Sequence, residues 1–463
     1  MTQTSRKWLA LALGLGLVGS AACSDDSGNG GNGPGPIGAA VLTGNITSNR
    51  SLSSDTVYTL SGYVKVQSGV TLSIEPGTTI IGDSTVPGSS LWILRGGQIN
   101  AQGTAAAPIV FTSAKAPGTR APGDWGGIII IGNGIINRTG TINTEGPVGV
   151  AEVYSGGANN ADNSGTLRYV RIEFAGYDVS GGNASELNGL SLYAVGSGTT
   201  LEYIQTVSGL DDSFEWWGGA VDGRFLVSYE SGDDHFDWSE GYVGRNQYLI
   251  AYQSQRLQPA PGAGTLSTDP QGIEADGCNG SGCTTGFRST PFSDPTFANL
   301  TILGMGATET TASGGFGVVL RRGTKGLLAN SIIANWKGIG LTVRDSVTGN
   351  LTTADSLNAT DLVFAANTLD HDTVGANYGQ ASVFTADNHR TAASVAAILT
   401  NTTATSLNWT PLGTAAAGCG TVAIPAARTG AFFGGTLATT TFCGAVNPAG
   451  PLWYQGWTSY AAN

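Results

Sequence analysis

A six-residue string occurs twice at a fixed offset. Asp211-Asp212-Ser213-Phe214-Glu215-Trp216 returns as Asp233-Asp234-His235-Phe236-Asp237-Trp238, 22 residues later. A looser third copy is Gln271-Gly272-Ile273-Glu274-Ala275-Asp276. A period near 22 fits stacked coils of a right-handed parallel β-helix, in which equivalent residues of adjacent coils lie about 4.8 Å apart. A β-sandwich also uses many short strands, but it imposes no constant offset. The repeat therefore predicts an all-β solenoid carrying columns of like residues, one of them carboxylates. Like charges that close are unfavourable unless a cation, a proton or a partner relieves them.

The rest of the chain supports this reading. Short apolar runs separated by Gly and Pro turns recur, among them Tyr63-Val64-Lys65-Val66, Leu91-Trp92-Ile93-Leu94, Leu167-Arg168-Tyr169-Val170 and Leu201-Glu202-Tyr203-Ile204. Two or three such strands per period make one coil. Inserted loops are expected at about 132–165, 175–188, 253–270 and 276–296, where they could wall a groove. Residues 389–400 read as a helix. The final stretch, with Trp453, Trp457 and Tyr460, reads as a C-terminal cap over the open end of the solenoid.

Charged residues make up only 12% of the chain and the net charge is −12. That balance disfavours nucleic acid and anionic lipid as partners and suits cations or neutral ligands. At the amino terminus, Arg6 and Lys7 precede an apolar run from Trp8 to Val18, the pattern of a signal peptide over 1–22. Cys23 follows small residues. The segment 23–40 is rich in Ser, Asp, Gly, Asn and Pro and reads as a flexible tether. A β-helix over 41–370 and a cap region over 371–463 complete the division. Cys278, Cys283, Cys419 and Cys443 remain for two disulfides in an oxidising compartment.

Several passages carry a family resemblance. Leu72-Ser73-Ile74-Glu75-Pro76-Gly77-Thr78, Pro108-Ile109-Val110-Phe111-Thr112-Ser113, Gly123-Asp124-Trp125-Gly126-Gly127 and the Asp-Asp-x-Phe-Glu-Trp segment resemble secreted β-helix lipoproteins of outer-membrane bacteria. The region around Cys23 is similar to a bacterial lipobox, with Ser20 where Leu is usual. The resemblance implies a right-handed parallel β-helix and a lipid anchor on Cys23 at the outer membrane or cell surface. Ordinary secretion is the alternative. No reaction and no catalytic residues are implied.

Nine of the 33 acids lie between Asp211 and Glu240, with Arg224 the single basic residue among them. Strand alternation sorts their side chains. If Phe214 and Phe236 point inward, Glu215 and Asp237 point outward, and the outward row reads Ser191, Glu215, Asp237, Glu274. Asp212 and Asp234 form a second row at the turn, and Asp211 and Asp233 fit turn capping. Asp212, Glu215, Asp234, Asp237 and Glu274 are the expected ligands of a hard cation, Ca²⁺ first, since oxygen donors suit it. Trp217 and His235 have outward parity and, with Asp276, are the expected ligand contacts. Trp216 and Trp238 share the parity of the core. Arg321-Arg322 reads as a solvated turn. Two functions fit: a surface lipoprotein presenting a cation-loaded groove to a glycan, or a polysaccharide lyase or glycoside hydrolase working in that groove. For a lyase, Arg224, Arg245 and Arg288 are the candidate bases.

Overall fold

In a computed structural model the described residues are 38–181, 185–351, 357–365, 369–371, 389–403, 406–420 and 423–460. The signal segment, Cys23 and nearly all of the tether lie outside them. The chain forms a parallel β-helix built on sheets of 17 and 11 strands. Each strand pairs in parallel with its counterpart in the next coil. In the 11-stranded sheet one inward column runs Val64, Leu91, Ile128, Leu190, Phe214, Phe236, Ile273, Val318 and Leu341. All nine are buried in one continuous core. Trp216 and Trp238 are buried as well, and Trp238 stacks on Phe297 with centroids 4.6 Å apart. The 22-residue offset is thus one turn of the solenoid, with Phe214 stacked on Phe236 at 5.5 Å.

The larger sheet breaks simple alternation. Its long strands, such as Gly165–Glu173, Thr200–Val207, Asp222–Tyr229 and Arg245–Tyr252, each carry one residue in the left-handed region. These residues are Tyr169, Tyr203, Phe225 and Tyr248, with φ between 49° and 65°. Pairing lapses there while registering normally on either side, for example Arg168↔Glu202 and Val170↔Ile204. The kink turns each strand around the corner of the coil, so Leu167 and Val170 both face inward. A left-handed non-glycine residue costs roughly 1–2 kcal/mol. The four half-buried rings offset this by stacking in a column, with successive centroids 4.3, 4.5 and 5.2 Å apart.

The expected helix over 389–400 does not form. Arg390–Ala392 instead pairs in parallel with Val363–Ala365, followed by a single 3₁₀ turn at Val395–Ala397 and a strand at Leu399–Asn401. The open edge of Val363–Ala365 offers unpaired backbone groups, and a further rung satisfies them better than an isolated short helix would. The C-terminal segment, expected to cap the open end of the solenoid, runs instead along the outside of the large sheet. Trp457 meets Tyr169 and Tyr203 edge-on, and Trp453 tilts against Phe225 at 5.1 Å. Gln205 and Ser459 exchange two hydrogen bonds of 2.8 Å. Disulfides join Cys278 to Cys283 and Cys419 to Cys443, as the cysteine count suggests.

Candidate functional site

The outward column of the 11-stranded sheet is where the acids collect. It reads Trp92, Ile129, Ser191, Glu215, Asp237, Glu274 and Val319 in unbroken register. The acids therefore sit between apolar positions rather than on a wet surface. The insertion at 132–165 folds over this face, and its Ile142 and Tyr154 pack with Trp92, Ile129, Ile131 and Tyr193. Trp217 points outward as alternation requires, and stacks on Tyr193 at 3.9 Å and 8°. The result is a cavity of about 500 Å³ lined by Glu215, Asp237, Glu274, Trp217, Glu240 and Arg322, with others.

Each acid has its own environment. At the turn before the strand, a ladder of side-chain oxygens accepts backbone N–H groups of the following coil. Asp212 N–H donates to Asn188 Oδ1 at 3.1 Å, and Asp234 N–H to Asp212 Oδ1 at 2.8 Å. Gln271 N–H donates to Asp234 Oδ1 at 2.5 Å, and Phe316 N–H to Gln271 Oε1 at 3.0 Å. The coil-linking role thus belongs to Asp212 and Asp234, correcting the expectation that Asp211 and Asp233 cap the turns. The second acid of each pair, being closer to the strand, meets the next coil's backbone. Each keeps its other oxygen for further use.

In the outward row, Asn188 Nδ2 donates to Glu215 Oε2 at 2.7 Å. Glu274 is paired with Arg321, which also donates from Nε to Asp276 Oδ1 at 2.7 Å, and Arg322 holds the second oxygen of Asp276. Arg321 and Arg322 are therefore not a solvated turn. Register places Arg321 beside Asp276, and the carboxylates of Glu274 and Asp276 draw both guanidinium groups inward. Asp276 lines the cavity, but both its oxygens already face a guanidinium. Asp237 differs from all of these. It is 8% exposed, and its Oδ1 is buried with no hydrogen-bond partner among the described residues.

Among the described residues three triads have ligand atoms within 4.8 Å of one another: Asp211/Asp212/Asp233, Asp212/Glu215/Asp237 and Asp234/Asp237/Glu274. Oxygens around one hard cation at about 2.3–2.6 Å lie no more than about 5 Å apart, so this spacing suits such an ion. Electrostatics agrees. Burial first, then neighbouring carboxylates, push Asp212, Glu215 and Asp237 well above the usual carboxylate range. Burial carries Asp233 up to about 7. Burial together with Glu186 carries Glu145, on the covering insertion, to about 8.

His235 leaves the site. Its side chain is 1% exposed, its Nδ1 lies 2.5 Å from Ser228 Oγ, and its ring meets Trp336 edge-on. Burial lowers its pKa to about 3, so the ring is neutral. Outward parity fails because His235 precedes the strand Phe236–Ser239, where the chain is still turning. Arg224 and Arg245 are also elsewhere, paired with Glu202 and Asp222 on the large sheet.

One functional residue escaped the sequence reading. Glu240 sits at the corner after the strand with φ 56°, and Arg322 occupies the corresponding corner one position beyond the register of Arg321 with φ 55°. Both are non-glycine residues in a strained region, and both side chains line the cavity. Glu240 accepts from Tyr154 Oη and from Arg138 Nη1, each at 2.5 Å. The signal was present in the Trp-Ser-Glu that ends the second repeat, but its partners come from the insertion, about 100 residues earlier.

Residues 44–413 match the family model described as a pectate-lyase like beta helix domain. No curated protein matches the chain, and no solved structure does.

Proposed function

The chain belongs to the pectate-lyase-like β-helix domain family, and from that premise we propose that it is a surface lipoprotein whose acidic cleft binds Ca²⁺ and, with it, a glycan. A domain of this family is compatible with carbohydrate binding or polysaccharide action. The carrying observation is Asp237, a buried carboxylate in register between Glu215 and Glu274 whose Oδ1 has no hydrogen-bond partner among the described residues. Turn-making and stacking account for the other buried columns of the solenoid. Neither accounts for this one.

When bound, Ca²⁺ supplies positive charge and open coordination positions for sugar oxygens. The protein's own groups do the rest. Asn188 orients Glu215, and the backbone ladder orients Asp212 and Asp234. Trp217, held flat by Tyr193, offers an aromatic wall at the mouth, and Arg322 adds a cation for a sugar carboxylate. Lipidation at Cys23, followed by the tether, would hold the cleft at the outer membrane or cell surface. Among the described residues no helix is long and apolar enough to cross a membrane.

A polysaccharide lyase or hydrolase is the second reading, favoured by a basic residue beside the acidic row. Arg321 and Arg322 stand there, yet both are ion-paired to carboxylates, and Asp276 and Glu274 raise the pKa of Arg321 in spite of its burial. Such cations suit charge binding better than proton abstraction.

The test is thermal melting in Ca²⁺ and in chelator, for the wild type and for Glu215→Gln with Asp237→Asn. At a free concentration of 100 Kd the wild type should gain about 2.7 kcal/mol and the variant almost nothing. A wild-type melting temperature that ignores Ca²⁺ rejects the proposal. A glycan panel assayed for unsaturated or reducing-end products separates binding from catalysis.

A further inference from the structure

We infer that the cleft takes two divalent cations, bridged by Asp237. The inference rests on the reading that the cleft binds a divalent cation, and it sharpens that reading in stoichiometry and in the role of one residue.

Two of the acidic triads share one member. Asp212, Glu215 and Asp237 form the first, and Asp234, Asp237 and Glu274 the second, offset by one coil. In each triad the two outer carboxylates are fixed by the protein through one oxygen. Asp212 uses Oδ1 for Asp234 N–H, and Glu215 uses Oε2 for Asn188 Nδ2. Asp234 uses Oδ1 for Gln271 N–H, and Glu274 uses Oε2 for Arg321. Each is thus oriented and keeps one oxygen, the arrangement of a monodentate ligand with a supporting partner.

Asp237 is the exception, and it is the member these two triads share; Asp212, shared with the Asp211/Asp212/Asp233 triad, spends its Oδ1 on Asp234 N–H. A bridging carboxylate needs both oxygens, and its Oδ1 is buried without a hydrogen bond among the described residues. Leaving a buried acceptor unpaired is unfavourable, and nothing in the local strand requires an acid there, since the column holds Ser191 two coils earlier and Val319 two coils later.

Native mass spectrometry and isothermal titration of the full chain with Ca²⁺ test this directly. The expected wild-type stoichiometry is two. Asp237→Asn should weaken both ions at least tenfold. Glu215→Gln should lose one ion and keep the other, and so should Glu274→Gln; loss of both ions from either folded variant overturns the assignment of two separate sites. A wild-type stoichiometry of one overturns the two-ion inference but leaves Ca²⁺ binding in the cleft intact. A stoichiometry of zero removes both. Two ions held at full affinity by Asp237→Asn overturns the bridge. The wild-type count needs no variant to fold, so misfolding of a variant cannot rescue the inference.

Discussion

Two columns of like residues climb the same solenoid with opposite energetics. On the large sheet, Tyr169, Tyr203, Phe225 and Tyr248 stack ring on ring at 4.3–5.2 Å, under the cover of Trp453 and Trp457. On the smaller sheet, Glu215, Asp237 and Glu274 stack carboxylate on carboxylate under the cover of the 132–165 insertion. Coil spacing is common to both. Aromatic faces gain from that spacing, whereas buried charges lose by it. The aromatic column explains itself as architecture. In the acidic column Asn188 answers Glu215 and Arg321 answers Glu274, while Asp237 Oδ1 has no hydrogen-bond partner among the described residues.

The largest expected effect is on the aromatic side. Phe225→Ala should destabilise by about 3 kcal/mol, read from urea denaturation, and should loosen the C-terminal segment to proteolysis. Replacing Cys419 and Cys443 by Ser frees a cross-link spanning 24 residues of that same segment. A loss of about 3 kcal/mol is expected, with Ca²⁺ affinity unchanged. If either change abolished Ca²⁺ binding, the two columns would not be independent. On the acidic side the sign reverses. In chelator at pH 9, Asp237→Asn should stabilise by about 1 kcal/mol, because it removes a like charge. Destabilisation there would show that Asp237 is an ordinary structural carboxylate.

A further effect is a slope with pH. Burial and neighbouring charge raise the folded pKa of Glu215 and Asp237, and Asp233 and Glu145 reach about 7 and about 8. In the unfolded chain these groups titrate near pH 4. Between the two values the folded chain holds protons that the unfolded chain has released, so stability falls as pH rises. His235 acts in the opposite sense. Its folded pKa of about 3 lies below its unfolded value of about 6.5, so its contribution is lost as pH falls below 6.5. The metal-free melting temperature should therefore decline between about pH 6.5 and 8, where His235 is neutral in both states. Ca²⁺ should flatten or invert that slope, because the ion and the protons compete for the same oxygens. A metal-free melting temperature that rises over this window would contradict the buried, raised carboxylates.

Much of this was legible in one repeated string. The offset between Phe214 and Phe236 is the coil, and alternation along Phe214-Glu215-Trp216-Trp217 correctly places two residues inside and two outside. The same rule failed at His235 because alternation is a property of extended backbone, and His235 is in a turn. It also could not foresee the left-handed kinks at Tyr169 and its stacked neighbours, whose residue types ordinarily avoid that conformation. Their φ is imposed by the corner of the coil and stabilised by the rings above and below.

The sequence by itself therefore determined the period, the inward and outward sets and the register of Ser191, Glu215, Asp237 and Glu274, since these follow from local backbone geometry repeated at a constant offset. Tertiary structure alone decided which acids are answered. Arg321 for Glu274, Asn188 for Glu215, Arg138 and Tyr154 for Glu240 and nothing for Asp237 Oδ1 depend on side chains from other coils and from an insertion. Charge acts through space, and the distances that matter to it are not those along the chain.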